Sequence, residues 1–532
     1  VKFGLKGLLL LTAIAYMGLW TAGFVWDDVP LIVNNDALRD ASLWSIFTTD
    51  LWAASGAGDV ASGYYRPLVL LSFVLDRWLF DLNPLGYHAH SVLWHGAAVV
   101  AFHRLCAPLL DERTALMAAA LFALHPVQSE VVAWVAARND LMAAALGLFA
   151  LGAVWTGERM TAGRAASAFV LTILAGLSKE TALLLPIMLG SADVLRGRTK
   201  MLVTRQVPFV AGVCVVIAIR TAVGVGEATI PGQEGLRLLW RGLPALIGGY
   251  AASVFSPWPL SSAYDLTWIG ERDWSRLGLG WCWVIVLGLC ALTGDRERRK
   301  LSAIGAVWAI MLVAITLVPT ADKGGYGDRF LYWPMAGVAL IVAANFGQYI
   351  RYVLPTFLVT SLFIVHFRLP DWSHDRALWG AAVRDVPTAT NEMSLGHAFT
   401  LHERHKRAHV NFVSSLARTG IDLEACGPVV GSAMRTGLPS LALRMGDWAL
   451  LRGCSPTGPM NGWMAMAAAL EGQWERAETW AHSEPSDPRF RDLVVRAALA
   501  KRSGNQEAYR ALERQWVGSE PLAPQVDALL TR

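Results

Sequence analysis

Apolar residues fall along this chain in runs of roughly 13 to 22 positions, and with their flanks most runs approach the ~20 residues a helix needs to cross a bilayer. The pattern predicts spanning helices over 5–24, 87–108, 114–126, 140–156, 165–177, 181–195, 207–222, 277–293, 301–319, 330–347 and 353–368. That is about eleven crossings, an all-α polytopic membrane protein. Lys and Arg then fall on alternate loops: Lys2 and Lys6, Arg104 and Arg113, Arg159 and Arg164, Arg196 to Arg205, Asp295 to Lys300, and Arg351. Cytoplasmic loops carry that excess, so the N-terminus reads as cytoplasmic and the C-terminus as outside. Counting Leu236 to Phe255 as a span would invert the later loops. It reads instead as an interfacial or re-entrant helix on the outer face. The first apolar run, Leu8 to Phe24, lacks a clear small-x-small cleavage site and reads as a span rather than a signal peptide.

Residues 1–369 form this membrane domain, with a long first outer loop over 25–86. Residues 370–532 carry no spanning run and read as a soluble outer domain of short amphipathic helices. Ala465 to Ala481 and Val494 to Trp516 place small and aromatic residues at helix-pair spacing, with Gly472 and Gly504 at turns. The pattern looks like tetratricopeptide-type repeats of irregular period, and a generic array of helical hairpins reads equally well. Cys426 and Cys454 are the only cysteines of this domain, and an oxidising compartment permits them to pair.

Composition agrees with the membrane reading: 532 residues, 54% hydrophobic and 17% charged, with a mean hydropathy of +0.39. A formal net charge of +4 without a basic and aromatic patch argues against a nucleic-acid partner. The six cysteines show no zinc-site spacing. Abundant Ala, Gly, Arg and Trp suggest a bacterial source, which makes the membrane an inner membrane and the outer side a periplasm.

The candidate chemistry gathers at the outer ends of the predicted spans. Asp27 and Asp28 follow the first span directly, and adjacent carboxylates there are costly unless hydrated, paired or used. Arg66 follows Tyr64 and Tyr65. The segment after the third span supplies His125, Glu130, Arg138 and Asp140. Lys179 and Glu180 occupy the near-absent loop between the fifth and sixth spans. Arg220 closes the seventh, and Asp322, Lys323, Asp328, Arg329 and Tyr332 lie between the ninth and tenth. Outer loops ordinarily avoid Lys and Arg, so these cations point to an anionic ligand there. A lipid phosphate suits them, because Arg and Lys bind phosphate through charge-assisted hydrogen bonds.

In order along the chain, FVWDDVPLIVNN, YYRPLVLLSF, LNPLGYHAHSVLWH, ALHPVQSEVVAWVAARNDLMAA, LSKETALLL and DRFLYWP resemble the TMTC-type group of tetratricopeptide-containing O-mannosyltransferases within the GT-C glycosyltransferases. The resemblance spans residues 20–380. It implies transfer of a sugar, a hexose such as mannose, from a polyprenyl-phosphate donor to an acceptor hydroxyl of a protein or glycan on the non-cytoplasmic face. Carried onto this chain, Asp27 is the base and Asp28 orients it or the acceptor. Lys179, Arg329, Arg66, Arg138 and Arg220 are the cations for the donor phosphate. His125, Glu130, Asp140, Glu180, Tyr65 and Tyr332 are the candidates for sugar or acceptor contacts. A metal is not required, although Asp27, Asp28 and Glu130 are the acidic residues that would hold Mg²⁺ or Mn²⁺. Two other classes stay open: a transporter or flippase of lipid-linked saccharide, and a membrane-anchored repeat scaffold. A transporter predicts polar residues near the bilayer midplane and internal repeats, and neither pattern is evident.

Overall fold

The computed structural model describes residues 4–531 apart from 40, 56–62, 157–158, 225–232, 266–273, 318–319, 321–324, 420–422, 452, 484–490 and 517–521. Asp322 and Lys323 therefore lie outside the described residues. The chain divides into two compact units, Val1–Leu378 and Trp379–Arg532. Both are helical. The strand content of the described residues is one antiparallel bridge, β1 (Tyr264–Asp265) against β2 (Gly325–Tyr326).

The first unit contains α1 (Leu5–Ala15), α2 (Leu43–Thr48), α3 (Pro67–Phe80), α4 (Pro84–Cys106), α5 (Glu112–Leu124), α6 (Ser129–Ala133), α7 (Arg138–Val154), α8 (Ala162–Gly176), α9 (Leu185–Leu195) and α10 (Leu202–Val223). It continues through α11 (Gln233–Phe255), α12 (Trp274–Thr293), α13 (Arg296–Ala314), α14 (Pro334–Phe346) and α15 (Ile350–Arg368). Local chemistry sets several of these starts. Pro67, Pro84 and Pro334 open their helices, where a missing N–H costs nothing. Asp111, Thr161 and Asp295 cap α5, α8 and α13 by accepting backbone N–H groups. Gly305 of α13 and Gly337 of α14 face each other so closely that a Cβ on either would strike the other's carbonyl oxygen. Small residues at such crossings let membrane helices pack backbone to backbone.

The count of eleven crossings is corrected. Each of the eleven predicted segments contains a helix, but among the described residues three are long and apolar enough to cross a membrane: Val135–Val154, Thr199–Val223 and Trp274–Thr293. A fourth exists if Glu112–Leu124 and Pro126–Ala133, bent by 45° at their junction, count as one span. Several of the others are too short or too polar. α9 has 11 residues and α14 has 13, whereas α4 has the length but carries His88, His90, His95 and His103. The 236–255 stretch is the helix α11.

Contacts between loops define two ends of the helix packing. Lys179, after α8, meets Asp140 in the first turn of α7, and Arg220, in the last turn of α10, meets Glu180 ahead of α9. At the opposite end, Trp155 after α7 donates its indole N–H to the Leu105 carbonyl of α4, and Arg198 after α9 donates to the Trp155 carbonyl.

In the second unit, α17 (Ala389–Leu401), α18 (His405–Thr419), α19 (Leu423–Arg435), α20 (Pro439–Leu451), α21 (Gly458–Leu470), α22 (Trp474–Ala481), α23 (Arg491–Arg502), α24 (Gln506–Gln515) and α25 (Leu522–Leu530) follow α16 (Asp375–Asp385). From α17 to α24 each helix packs on the next, around a core rich in Ala, Val and Met. Cys426 of α19 is disulfide-bonded to Cys454, just beyond α20.

Candidate active site

Two neighbouring carboxylates after α1 have opposite surroundings. Asp28 is fully buried and accepts two backbone N–H groups: Val25 at 3.1 Å on Oδ2 and Ala136 at 2.6 Å on Oδ1. It ties the first loop to the turn between α6 and α7. Asp27 is partly exposed and makes no side-chain hydrogen bond among the described residues. The countercharge acting on it is Arg329. Burial pushes Asp27 up to about 6, against the pull of Arg329. Burial pushes Asp28 further, to about 8, against its two N–H donors and with the help of the Asp27 charge. At neutral pH Asp27 is therefore the ionised member and Asp28 the neutral one.

The backbone between them and α1 is held under constraint. Trp26 has φ +54, a left-handed conformation that a bulky residue rarely adopts. Its N–H donates to Asp375 at 2.7 Å, and its ring stacks on Trp134 at 4.4 Å with the planes 7° apart. Arg329 lies over both rings, 5.1 Å from Trp26 and 5.6 Å from Trp134. Glu130, 1% exposed, fixes it by accepting from its guanidinium at 3.0 Å and from its backbone N–H at 3.2 Å. Glu130 thus positions Arg329 beside Asp27. Gly327 makes room for the guanidinium, since a Cβ there would collide with it.

A second cluster joins three cations to two carboxylates. Lys179 Nζ sits 2.6 Å from both oxygens of Asp140. Arg66 donates twice to Glu180, at 2.9 and 3.3 Å, while Arg220 faces the other Glu180 oxygen at 3.6 Å. Tyr64 stacks under Arg66. Burial pulls Lys179 down, with Asp140 opposing it. Burial works to raise Glu180, but the Arg66 guanidinium leaves its carboxyl below the usual range. One positive charge is in excess. Asp140, Lys179 and Thr181 form one wall of a cleft holding about 250 Å³ of empty space, open solvent included, and Phe330 and Trp333 form another. Phe330 carries Arg329 at 4.8 Å over its ring, so the cleft links the cation cluster to the Asp27 neighbourhood.

Four expected site residues are engaged elsewhere. Arg138 has zero exposure and is shared among Asp76 at 2.5 Å, the Tyr87 carbonyl and the Ser72 and Ser91 hydroxyls. A guanidinium so enclosed cannot reach a donor phosphate. His125 uses both ring nitrogens, Nε2 donating to the Val254 carbonyl and Nδ1 accepting from Val127. Tyr332, fully buried, pairs its hydroxyl with His95 at 2.8 Å. Tyr65 packs with Leu177 and Val216 and donates to the Phe47 carbonyl. These four hold helices together. The acidic set proposed for a metal also does not converge, because Asp28 and Glu130 have their oxygens taken by N–H donors. Among the described residues no group of three or more His, Cys, Asp or Glu is placed to hold a metal ion.

Curated proteins are similar to parts of this sequence. The chain is 34% identical to mouse protein O-mannosyl-transferase TMTC3 over 139 residues, 26% of this chain and 15% of that protein. It is 30% identical to the Caenorhabditis elegans protein O-mannosyl-transferase F38B6.6 over 453 residues, 78% of this chain and 63% of that protein. Both relatives are named protein O-mannosyl-transferases. Mouse TMTC4 is 24% identical over 446 residues, 68% of this chain and 59% of that protein. In each case the chain covers less than two thirds of the relative. No protein-family model and no solved structure matches it.

Beyond the TMTC-like motifs, two functional supports escaped the sequence reading. Asp76, the buried partner of Arg138, was legible as a carboxylate inside the apolar run PLVLLSFVLDRWLF, where a charge demands a partner. The Trp26 and Trp134 stack had no such signal, since 108 positions of sequence separate the two rings in a chain with 23 tryptophans.

Proposed function

We propose that this chain is a membrane glycosyltransferase that moves mannose from a polyprenyl-phosphate donor to a Ser or Thr hydroxyl of a protein. The observation that carries the reading is the Asp27 carboxylate, without a side-chain hydrogen bond among the described residues, joined through Arg329 and Phe330 to a cleft lined by Lys179 and Asp140, with Arg66 and Arg220 paired to the adjacent Glu180, in a relative of the protein O-mannosyl-transferases. Asp27 takes the proton of the acceptor hydroxyl as its oxygen attacks the anomeric carbon, and the bond from that carbon to the phosphate oxygen breaks from the opposite face with inversion. The electron pair leaves on the lipid phosphate, where Lys179, Arg66 and Arg220 stabilise the growing charge. Arg329, clamped by Glu130, restrains the Asp27 charge. A phosphate so neutralised departs without calling on a metal.

The reaction face is the non-cytoplasmic one, with the N-terminus of the helix packing inside an inner membrane and the helical array, read as TPR-like, outside. The disulfide between Cys426 and Cys454 supports an oxidising surrounding for the second unit. The domains then divide as a transferase over 1–369 and an outer domain over 370–532. The test is mannosyl transfer to an acceptor peptide from polyprenyl-phosphate mannose in proteoliposomes. Loss of transfer in Asp27→Asn with donor binding kept supports the reading, and full activity removes Asp27 as the base.

A further inference from the structure

The end of the packing opposite Asp27 carries a second cationic cleft that the transfer reaction does not use. α7 and α10 belong to two of the three helices long and apolar enough to cross a membrane. Their Asp27-side ends carry Asp140 and Arg220, and α7, with 17 residues, puts its other end about 25 Å away at 1.5 Å per residue. There Val154, Arg159, Met160, Arg164 and Arg205 line a cleft with about 140 Å³ of empty space, open solvent included. Arg196 and Arg198 stand beside it, both donating to the Trp155 carbonyl at the end of α7, with Arg196 also over the Trp155 ring.

Among the described residues the cations here outnumber the carboxylates. Asp193 accepts from Arg205 at 2.8 Å, and Asp193 and Glu297 are the carboxylates that act on Arg196. Burial and the neighbouring Arg198 draw Arg196 down to about 10, a sign of like charges crowded together. Arg159 and Arg164 are exposed and have no carboxylate partner among the described residues; Arg164 donates only to the Arg159 carbonyl, at 3.3 Å. Arg205 is 1% exposed, so it forms the floor rather than an adjustable arm. Met160, partly exposed, adds an apolar edge beside the cations.

We propose that this cleft seats the phosphodiester headgroup of an anionic phospholipid, with Arg159 and Arg164 gripping the phosphate oxygens above Arg205. An apolar edge beside paired guanidiniums at a helix end suits an amphiphile whose acyl chains continue along α10, where Val203, Val207 and Val210 are exposed. Arg provides the bidentate geometry that a phosphate takes. The proposal is independent of the transfer chemistry at the other end.

The test is native mass spectrometry of the full chain in neutral detergent with phosphatidylglycerol or phosphatidylcholine added. Retention of phosphatidylglycerol over phosphatidylcholine is expected, and Arg159→Gln/Arg164→Gln should weaken it about tenfold, the loss of one charged hydrogen-bond pair. Arg104→Gln/Arg113→Gln, exposed cations that do not line the cleft, should change it less than twofold. Equal loss in both double variants would reduce the cleft to a general positive surface and overturn the proposal. So would unchanged binding in the Arg159/Arg164 variant, or equal retention of phosphatidylcholine. Displacement of the lipid by glycerol 3-phosphate at similar concentration would assign the cleft to a soluble phosphate instead. Mannosyl transfer does not enter any of these readouts.

Discussion

The Arg138 network and the Lys179–Arg220 network use the same residue types at neighbouring helix ends, yet they have opposite standing. Arg138 and Asp76 are both at zero side-chain exposure, and hydroxyls and a carbonyl take the remaining donors. Arg66, Lys179 and Arg220 keep 11%, 13% and 24% of their side chains exposed and share only two carboxylates. A saturated ion pair fixes helices; a pair with surplus charge and an opening retains capacity for a ligand. Asp28 and Asp27 repeat the contrast within two adjacent positions, one carboxyl spent on backbone donors and one left open.

The largest expected effect separates those two carboxylates. Removing a general base typically costs on the order of 10²- to 10⁴-fold, so Asp27→Asn should lower kcat by that amount while the unfolding midpoint in detergent stays near the parent's. Asp28→Asn should instead lose stability, by about 1–3 kcal/mol for a buried N–H left unpaired. A reversal of these two outcomes, chemistry lost at Asp28 and fold lost at Asp27, would exchange their roles.

Next comes the cation pair. Arg138→Gln leaves Asp76 buried with His90 Nδ1, at 2.6 Å, in place of a full countercharge, and breaking such a buried pair costs about 3–5 kcal/mol. Chemical unfolding in detergent should show that loss, with unchanged donor affinity in the folded fraction. Arg220→Gln should do the opposite: donor binding weakened about tenfold and stability changed by less than about 1 kcal/mol, as for a partly exposed ion pair. Donor affinity is read by titration with polyprenyl phosphate. If the Arg138 variant loses affinity while remaining stable, saturation is the wrong criterion for telling structure from function.

The sequence made the helices and the clustering of charge legible, because apolar runs and misplaced cations are local signals. It did not reveal which charges are consumed. His125 and Tyr332 looked available as polar residues among apolar neighbours, but their partners, the Val254 carbonyl and His95, lie 129 and 237 positions away. Arg138 was expected at the donor for the same reason, its partner Asp76 lying four helices earlier. Lys179, Glu180 and Arg220 lie close together because each stands at a helix end, and antiparallel helices bring alternate ends side by side. Span counting failed for a related reason. Helices buried by other helices need neither full length nor an apolar surface, so α4 keeps its histidines and α9 remains short.

The smallest expected effect concerns pH. Burial raises Asp27 to about 6, with Arg329 holding it from going higher. A base works in its ionised form, so transfer should fall as pH drops through that value, to about half its maximum near pH 6, whereas an ordinary exposed carboxylate would put the limb near pH 4. Asp28, raised to about 8 by burial, stays neutral over this interval and does not contribute to the limb. Arg329→Gln removes the opposing charge and should move the limb to higher pH. The profile of kcat/KM between pH 4.5 and pH 8 is the measurement, with donor binding followed in parallel so that titration of the phosphate is separated from that of the base. A limb near 4, or one unmoved in the Arg329 variant, would mean that the field around Asp27 is not set by burial and Arg329, and the contrast between open and saturated carboxylates would lose its electrostatic half.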